Sequence, residues 1–303
     1  MKKGVCFILA LSLLWSMSGC SSDAGEETKN VTLNTPVPEQ ESVQPKETTS
    51  PQEAGEETVA EQVLLDEQGI IITAKSLDKS GWFGPELKLL IENNSDKDLT
   101  VQVRSASVNG FMVETMMSAD VAQGKKANDS LVFSDNDIDN CGITTVGVME
   151  FSFHIFTTDG WETYLDSEQL RVETSAYETL TDTYDATGIE LYEGNGITIR
   201  SKGLQTEGTV FGPELFLYIE NNSEKAITVQ VRDTSVNGFM VDSLLSEEVL
   251  PGKKAVGGMT LMNSTLEENE ITTITDMEFS FHIFESDGWD TIVDTDVISL
   301  TIE

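Results

Sequence analysis

Apolar and polar residues alternate with a period of two through much of the chain beyond residue 62. Leu87, Leu89 and Ile91 alternate with Lys88, Leu90 and Glu92, and Leu99, Val101 and Val103 with Thr100, Gln102 and Arg104. Phe151, Phe153 and Ile155 point one way, Ser152, His154 and Phe156 the other. Successive side chains of a strand lie on opposite faces, so each run predicts a strand with one buried face. Asn93-Asn94-Ser95-Asp96 is a turn by composition. Asn109-Gly110 and Asn237-Gly238 fit two-residue hairpin turns, where both central positions need positive φ. Asp159-Gly160 then turns the chain into a last strand from Trp161 to Val172. The one helical signal is Ser264-Thr265-Leu266-Glu267, with capping-box spacing for a single turn. Seven or eight short strands in about 115 residues predict a sandwich of two antiparallel sheets.

The pattern occurs twice. Phe83 to Trp161 realigns on Phe211 to Trp289 at a constant offset of 128 residues, and 44 of the 79 positions are identical. The first strands correspond at an offset of 127, Leu64 to Ile70 against Leu191 to Ile197, so a loop changes length between Gly81 and Phe83. Self-similarity at a fixed period predicts two copies of one module. They run over 62–176 and 189–303, joined by an acidic linker, 177–188. Both copies carry FGPEL, IENNS, VQVR, SVNGFMV, GKKA, MEFSFHIF and DGW. These runs resemble the immunoglobulin-like extracellular domains found, often in tandem, in lipoproteins of Gram-positive bacteria. The resemblance covers both modules, roughly three quarters of the chain. It implies an all-β fold of two tandem immunoglobulin-like sandwiches displayed at a cell surface, and it brings no catalytic motif with it. The paired core cysteines and matching tryptophan of antibody domains are missing, so the likeness is one of architecture.

The N-terminus supplies a location. Lys2 and Lys3 precede an apolar run from Val5 to Trp15, then Ser16-Met17-Ser18-Gly19-Cys20. This is the layout of a secretory signal, 1–19, whose apolar run is too short to span a bilayer. Cys20 after Ser18-Gly19 resembles the lipobox of bacterial lipoproteins, with Met17 where leucine is commoner. The resemblance implies a lipidated Cys20 and a protein anchored to the extracytoplasmic face of the bacterial cell membrane. Residues 20–61 hold four of the seven prolines and few large apolar side chains, a composition that predicts a disordered acidic tether.

Removing the signal takes away Lys2 and Lys3 and no acid, so 18 basic residues become 16 against 53 acidic, a formal charge of −37. That field excludes nucleic acid as a partner. Of the three cysteines only Cys141 lies outside the N-terminal segment, so no intramolecular disulfide can hold a module.

Candidate chemistry is sparse. Trp161 and Trp289 follow the Asp-Gly turns and Trp82 sits in the loop that changes length; exposed, they could stack on sugars or a partner. Asp135, Asp137 and Asp139 alternate as in the start of a calcium loop, but Asn140 stands where the loop glycine should be and Val146 where its glutamate should be. His154 and His282, the only histidines, read as outward-facing strand residues. Cys141 has acids around it, which oppose a reactive thiolate. No nucleophile elbow and no phosphate-cradling glycine loop occurs. The expectation is a non-catalytic surface protein, neither an enzyme nor a cofactor carrier, that binds or adheres to a cell-wall glycan or another surface protein. Its alternatives are a carbohydrate- or cell-wall-binding module pair and, third, a surface hydrolase with carboxylates assembled from distant strands.

Overall fold

The computed structural model describes residues 29–33, 57–181, 184–207 and 209–302. The signal at 1–19 and Cys20 lie outside the described residues. A short strand, β1 (Lys29–Leu33), comes first. The first module comprises β2 (Gln62–Glu67), β3 (Ile70–Asp78), β4 (Glu86–Asn93), β5 (Leu99–Val108), β6 (Phe111–Met112), β7 (Thr115–Met116), β8 (Ser118–Val121), β9 (Lys125–Phe133), α1 (Asp135–Asn140), β10 (Val148–Thr157), β11 (Thr163–Asp166) and β12 (Leu170–Glu173). The second repeats that order as β13 (Ile189–Gly194), β14 (Ile197–Gln205), β15 (Glu214–Asn221), β16 (Ile227–Val236), β17 (Phe239–Met240), β18 (Ser243–Leu244), β19 (Ser246–Val249), β20 (Lys254–Leu261), α2 (Asn263–Glu268), β21 (Asp276–Glu285), β22 (Thr291–Asp294) and β23 (Ile298–Ile302).

Each module is a sandwich of two antiparallel sheets around one core, the all-β architecture expected from the pattern. In the first, β2-β3-β4-β9-β7 faces a sheet built on β5 and β10, with β8, β11 and β12 at their edges. Leu87, Leu89 and Ile91 of β4 meet Phe151, Phe153 and Ile155 of β10 in one core, as the alternation predicts. In the second, β13-β14-β15-β20-β18 faces the sheet of β16 and β21, with Leu215, Leu217, Ile219, Phe279, Phe281 and Ile283 in the same places. Burial of these runs supplies the main driving force for each module.

Two of the shared motifs prove to be clips. The first asparagine of IENNS, Asn93 or Asn221, is buried and ties its own turn to the neighbouring β8 or β19. Asn109 and Gly110 both take positive φ, 52° and 84°, as the predicted hairpin requires. The Asn109 amide also holds the chain entering β10, donating to Thr145 O (2.7 Å) and accepting from Gly147 N (2.9 Å). Asn237 does the same to Thr273 and Thr275.

Several expectations change. The expected last strand from Trp161 to Val172 is two strands, β11 and β12, both on β10. Ser167 separates them, its hydroxyl accepting from Phe153 N and its own N–H donating to Phe153 O. Asp135–Asn140, read as a loop, is a helix anchored by buried Ile138 and capped by Ser134. In module two, α2 starts at Asn263 without a side-chain cap, so the box at Ser264 does not form.

The segment expected to be tether also differs. Val59 bridges to Thr174, and the Glu57 carboxylate accepts from Lys79 Nζ (2.7 Å) and Val146 N (3.0 Å). The first module therefore begins ahead of Gln62. β1 lies parallel to β23, Lys29 opposite Ile298 and Leu33 opposite Ile302, with Val31 against the second core. A sheet edge presents unpaired N–H and C=O groups, which even a short extended segment can satisfy.

The two modules meet edge to edge. β6 runs parallel to β20, Phe111 opposite Lys254, so one sheet of each module joins in an eleven-stranded sheet. Lys254 N donates to Gly110 O (2.9 Å) and its ammonium lies 5.3 Å above the Phe111 ring. Phe111, Cys141 and Tyr218 form a small core with Tyr184 and Ala186 of the linker. Lys253 pairs with Glu150 across the junction.

Candidate functional site

The tryptophans expected to touch ligand are exposed and, in two of three cases, held rigidly. The turn after β10 closes with Trp161 N donating to Thr157 O (3.0 Å) and Thr157 N to Glu162 O (2.9 Å). This leaves Trp161 at φ +56°, a left-handed conformation that costs a bulky residue on the order of 1–3 kcal/mol. Trp289 repeats the turn at φ +62°. Neither residue starts a strand, which corrects the expectation. Trp161 stacks on Phe156 (5.3 Å between centroids, 15° between planes) and Trp289 on Phe284 (5.4 Å, 14°). That explains how Phe156, on the outer face of its strand, is only 4% exposed while Trp161 is 69% and Trp289 75% exposed. One face of each indole is covered by phenylalanine and the rest is open to solvent.

Beneath each stack lies a pair the sequence reading missed. His154 Nδ1 is 2.5 Å from Asp166 Oδ1, and His282 Nδ1 is 2.6 Å from Asp294 Oδ1. Each imidazole also packs against the same phenylalanine, at 5.3 and 5.2 Å. The histidines are therefore half of a strand-to-strand pair, with side chains only 12% exposed, and not freely outward-facing. The signal was present: both copies read DGW-x-T-x-x-D, and the final aspartate is the partner.

Trp82 is 90% exposed at the tip of the β3–β4 loop, beside Phe83 and Met116. Val210 and Phe211 hold that place in module two, so the loop is apolar in both copies although the tryptophan is not repeated.

Asp135, Asp137 and Asp139 do not converge. On a helix, residues two apart point to different sides, so Asp137 is turned away from the other two. Asp137 instead accepts from Glu114 N (2.8 Å). Among the described residues, no three His, Cys, Asp or Glu side chains gather as a metal site. Cys141 is buried at the junction, and loss of water, then Asp137, pushes its thiol up to about 12, so it stays protonated.

A second site, unseen in the sequence, forms between the modules. A cleft of about 650 Å³ gathers Glu114 and Asp137 from the first module with Glu214, Glu247 and Glu248 from the second. Glu247 lies over Gly257, where any side chain would run into its carboxylate. Burial, reinforced by Asp137 and Glu114, raises Glu247 from 4.5 to about 7. Such a group can hold or release a proton near neutrality, the property a general acid needs.

No protein-family model matches the chain, and no curated protein matches it. Among solved structures it is similar to the YadV chaperone, at 11% identity over 74% of this chain and 96% of that one, with a TM-score of 0.23. It is also similar to the CsuC–CsuE chaperone–tip adhesion subunit complex of Acinetobacter baumannii, at 13% identity over 72% and 92% of the chains, TM-score 0.21. A protein of unknown function from Porphyromonas gingivalis matches at 11% identity over 72% and 90%, TM-score 0.19. At these TM-scores the likenesses bear on neither ligand nor activity.

Proposed function

We propose that the chain is a lipid-anchored cell-surface protein that binds an extracellular ligand without transforming it, through Trp161 and Trp289. The observation that carries this reading is the twin platform: an open indole backed by phenylalanine, kept in both copies at the cost of a strained backbone. A flat, rigid aromatic face suits the apolar face of a sugar ring. Asp159 and Glu162 beside Trp161, and Asp287 and Asp290 beside Trp289, provide acceptors for ring hydroxyls. This favours a cell-wall glycan over a protein surface as ligand. Two platforms on one chain also bind a repeating polymer more tightly than either alone.

Trp161→Ala and Trp289→Ala are each expected to weaken glycan binding about tenfold, and the double change to abolish it, with the far-ultraviolet circular dichroism unchanged. A double variant that binds as well as the parent would remove the tryptophans from the site. A parent protein silent on a glycan array would sink the glycan reading and leave adhesion to another surface protein.

The anchor rests on Cys20 and the residues before it. Among the described residues no helix is long and apolar enough to cross a membrane. Cys20→Ala should move the protein from the membrane fraction to the medium, and unchanged fractionation would refute lipidation.

A further inference from the structure

The docking between modules uses parts that both copies possess, and each copy leaves one half unused. Module one offers Phe111, at 3% exposure, to module two; its equivalent Phe239 is 50% exposed with Met240 and Leu244 beside it. Module two receives Phe111 on Lys254 of its GKKA run; in module one the equivalent Lys126 is exposed and pairs only with Glu92 of its own sheet, and Lys125 beside it is exposed too. The Lys253–Glu150 pair has its counterparts in Lys125 and the exposed Glu278, neither with an ion-pair partner among the described residues, although Glu278 accepts from Ser299 Oγ (2.9 Å). The edge of β9 at Lys126, where β20 receives β6, likewise carries no strand among the described residues.

We infer that a second copy of this chain docks its Lys125–Lys126 edge on the Phe239 end of module two, repeating the internal contact head to tail. Such a contact is heterologous and extends into rows instead of closing a symmetric dimer. The positions that differ between copies change together. Where Cys141 packs near Val256, the neighbouring chains bring Asn269 to Asn128. Ala119 stands in place of Glu247 and Thr265 in place of Asp137, so the carboxylate crowding of the internal junction is lessened, while Glu86, Asp120 and Asp242 still stand where Glu214, Glu248 and Glu114 do. The aromatic floor is reduced, since Leu90 replaces Tyr218. The contact is therefore weaker than the internal one and suits chains concentrated on a surface.

The test is sedimentation of the chain from Ser21 to Glu303 between about 10 µM and 1 mM, the range of weak protein contacts. Mass should rise with concentration, and more so at high salt, which screens the mutual repulsion of acidic chains. Phe239→Ser should weaken association about tenfold or more. Lys125→Glu should weaken it by about fivefold, and adding Glu278→Lys should restore it. Both positions are exposed, so folding is preserved. A monomer throughout the range, or association that ignores these variants, would overturn the inference.

Discussion

Asn221→Ala is expected to destabilise the second module by about 3 kcal/mol, and Asn93→Ala the first by as much. Asn221 is fully buried, and its amide donates to Lys225 O and Val249 O at 2.8 Å each. Its carbonyl accepts from Ser223 N (3.0 Å) and Ser223 Oγ (2.7 Å). Asn93 makes the same bonds to Lys97, Val121 and Ser95. Alanine strands two carbonyls in the interior with no donor, which costs more than the bonds themselves contribute. Urea unfolding should show one transition moved and the other module's unchanged. Asn221→Asp, which keeps the acceptor but not the donors, should be no better than alanine. A shift under about 1 kcal/mol would mean the side chain is not the clip described.

Glu247→Gln is expected to stabilise the second module above pH 7 by up to about 3 kcal/mol and to flatten its pH dependence. In the folded protein Glu247 titrates near 7, against 4.5 ordinarily. A carboxyl whose folded value is raised is not penalised below pH 4.5, where both states hold the proton. From there to pH 7 the unfolded chain ionises first, and folding loses stability; above 7 the cost is constant. Glutamine removes that loss, so parent and variant should converge near pH 4 and part most widely near pH 8. Equal slopes between pH 4.5 and 7 would show that Glu247 is not buried among like charges. The same variant judges the catalytic reading: if the parent cleaves a cell-wall glycan and the glutamine variant does not, Glu247 is the acid of a hydrolase and the binding reading fails.

The strands of each core were legible because burial on one face imprints a period of two, and Leu87 through Ile91 or Phe151 through Ile155 need nothing else to be placed. The NG hairpins were legible because positive φ restricts residue type. Trp161 was misplaced because Asp-Gly reads as a complete turn, whereas the turn closes one residue later and puts the left-handed conformation on tryptophan itself. Phe156 looked like a surface residue because its cover comes from across that turn. α1 was invisible since Asp-Asn-Asp-Ile-Asp-Asn is a poor helix former held by one buried isoleucine. The acidic cleft had no linear signature, because Asp137 and Glu247 belong to different modules and meet only when these dock.

β1 has a consequence for the order in which the molecule is finished. Its partner is β23, where Ile298 lies 269 positions further along the chain than Lys29, so a segment made early waits for one made late. Closing so long a loop is slow and comes after both sandwiches have formed. A shortened chain starting at Glu57 would keep the buried residues of both cores and still leave the outer rim of β23 bare. Such a rim recruits other strands, so the shortened protein should clump where the longer one stays dispersed.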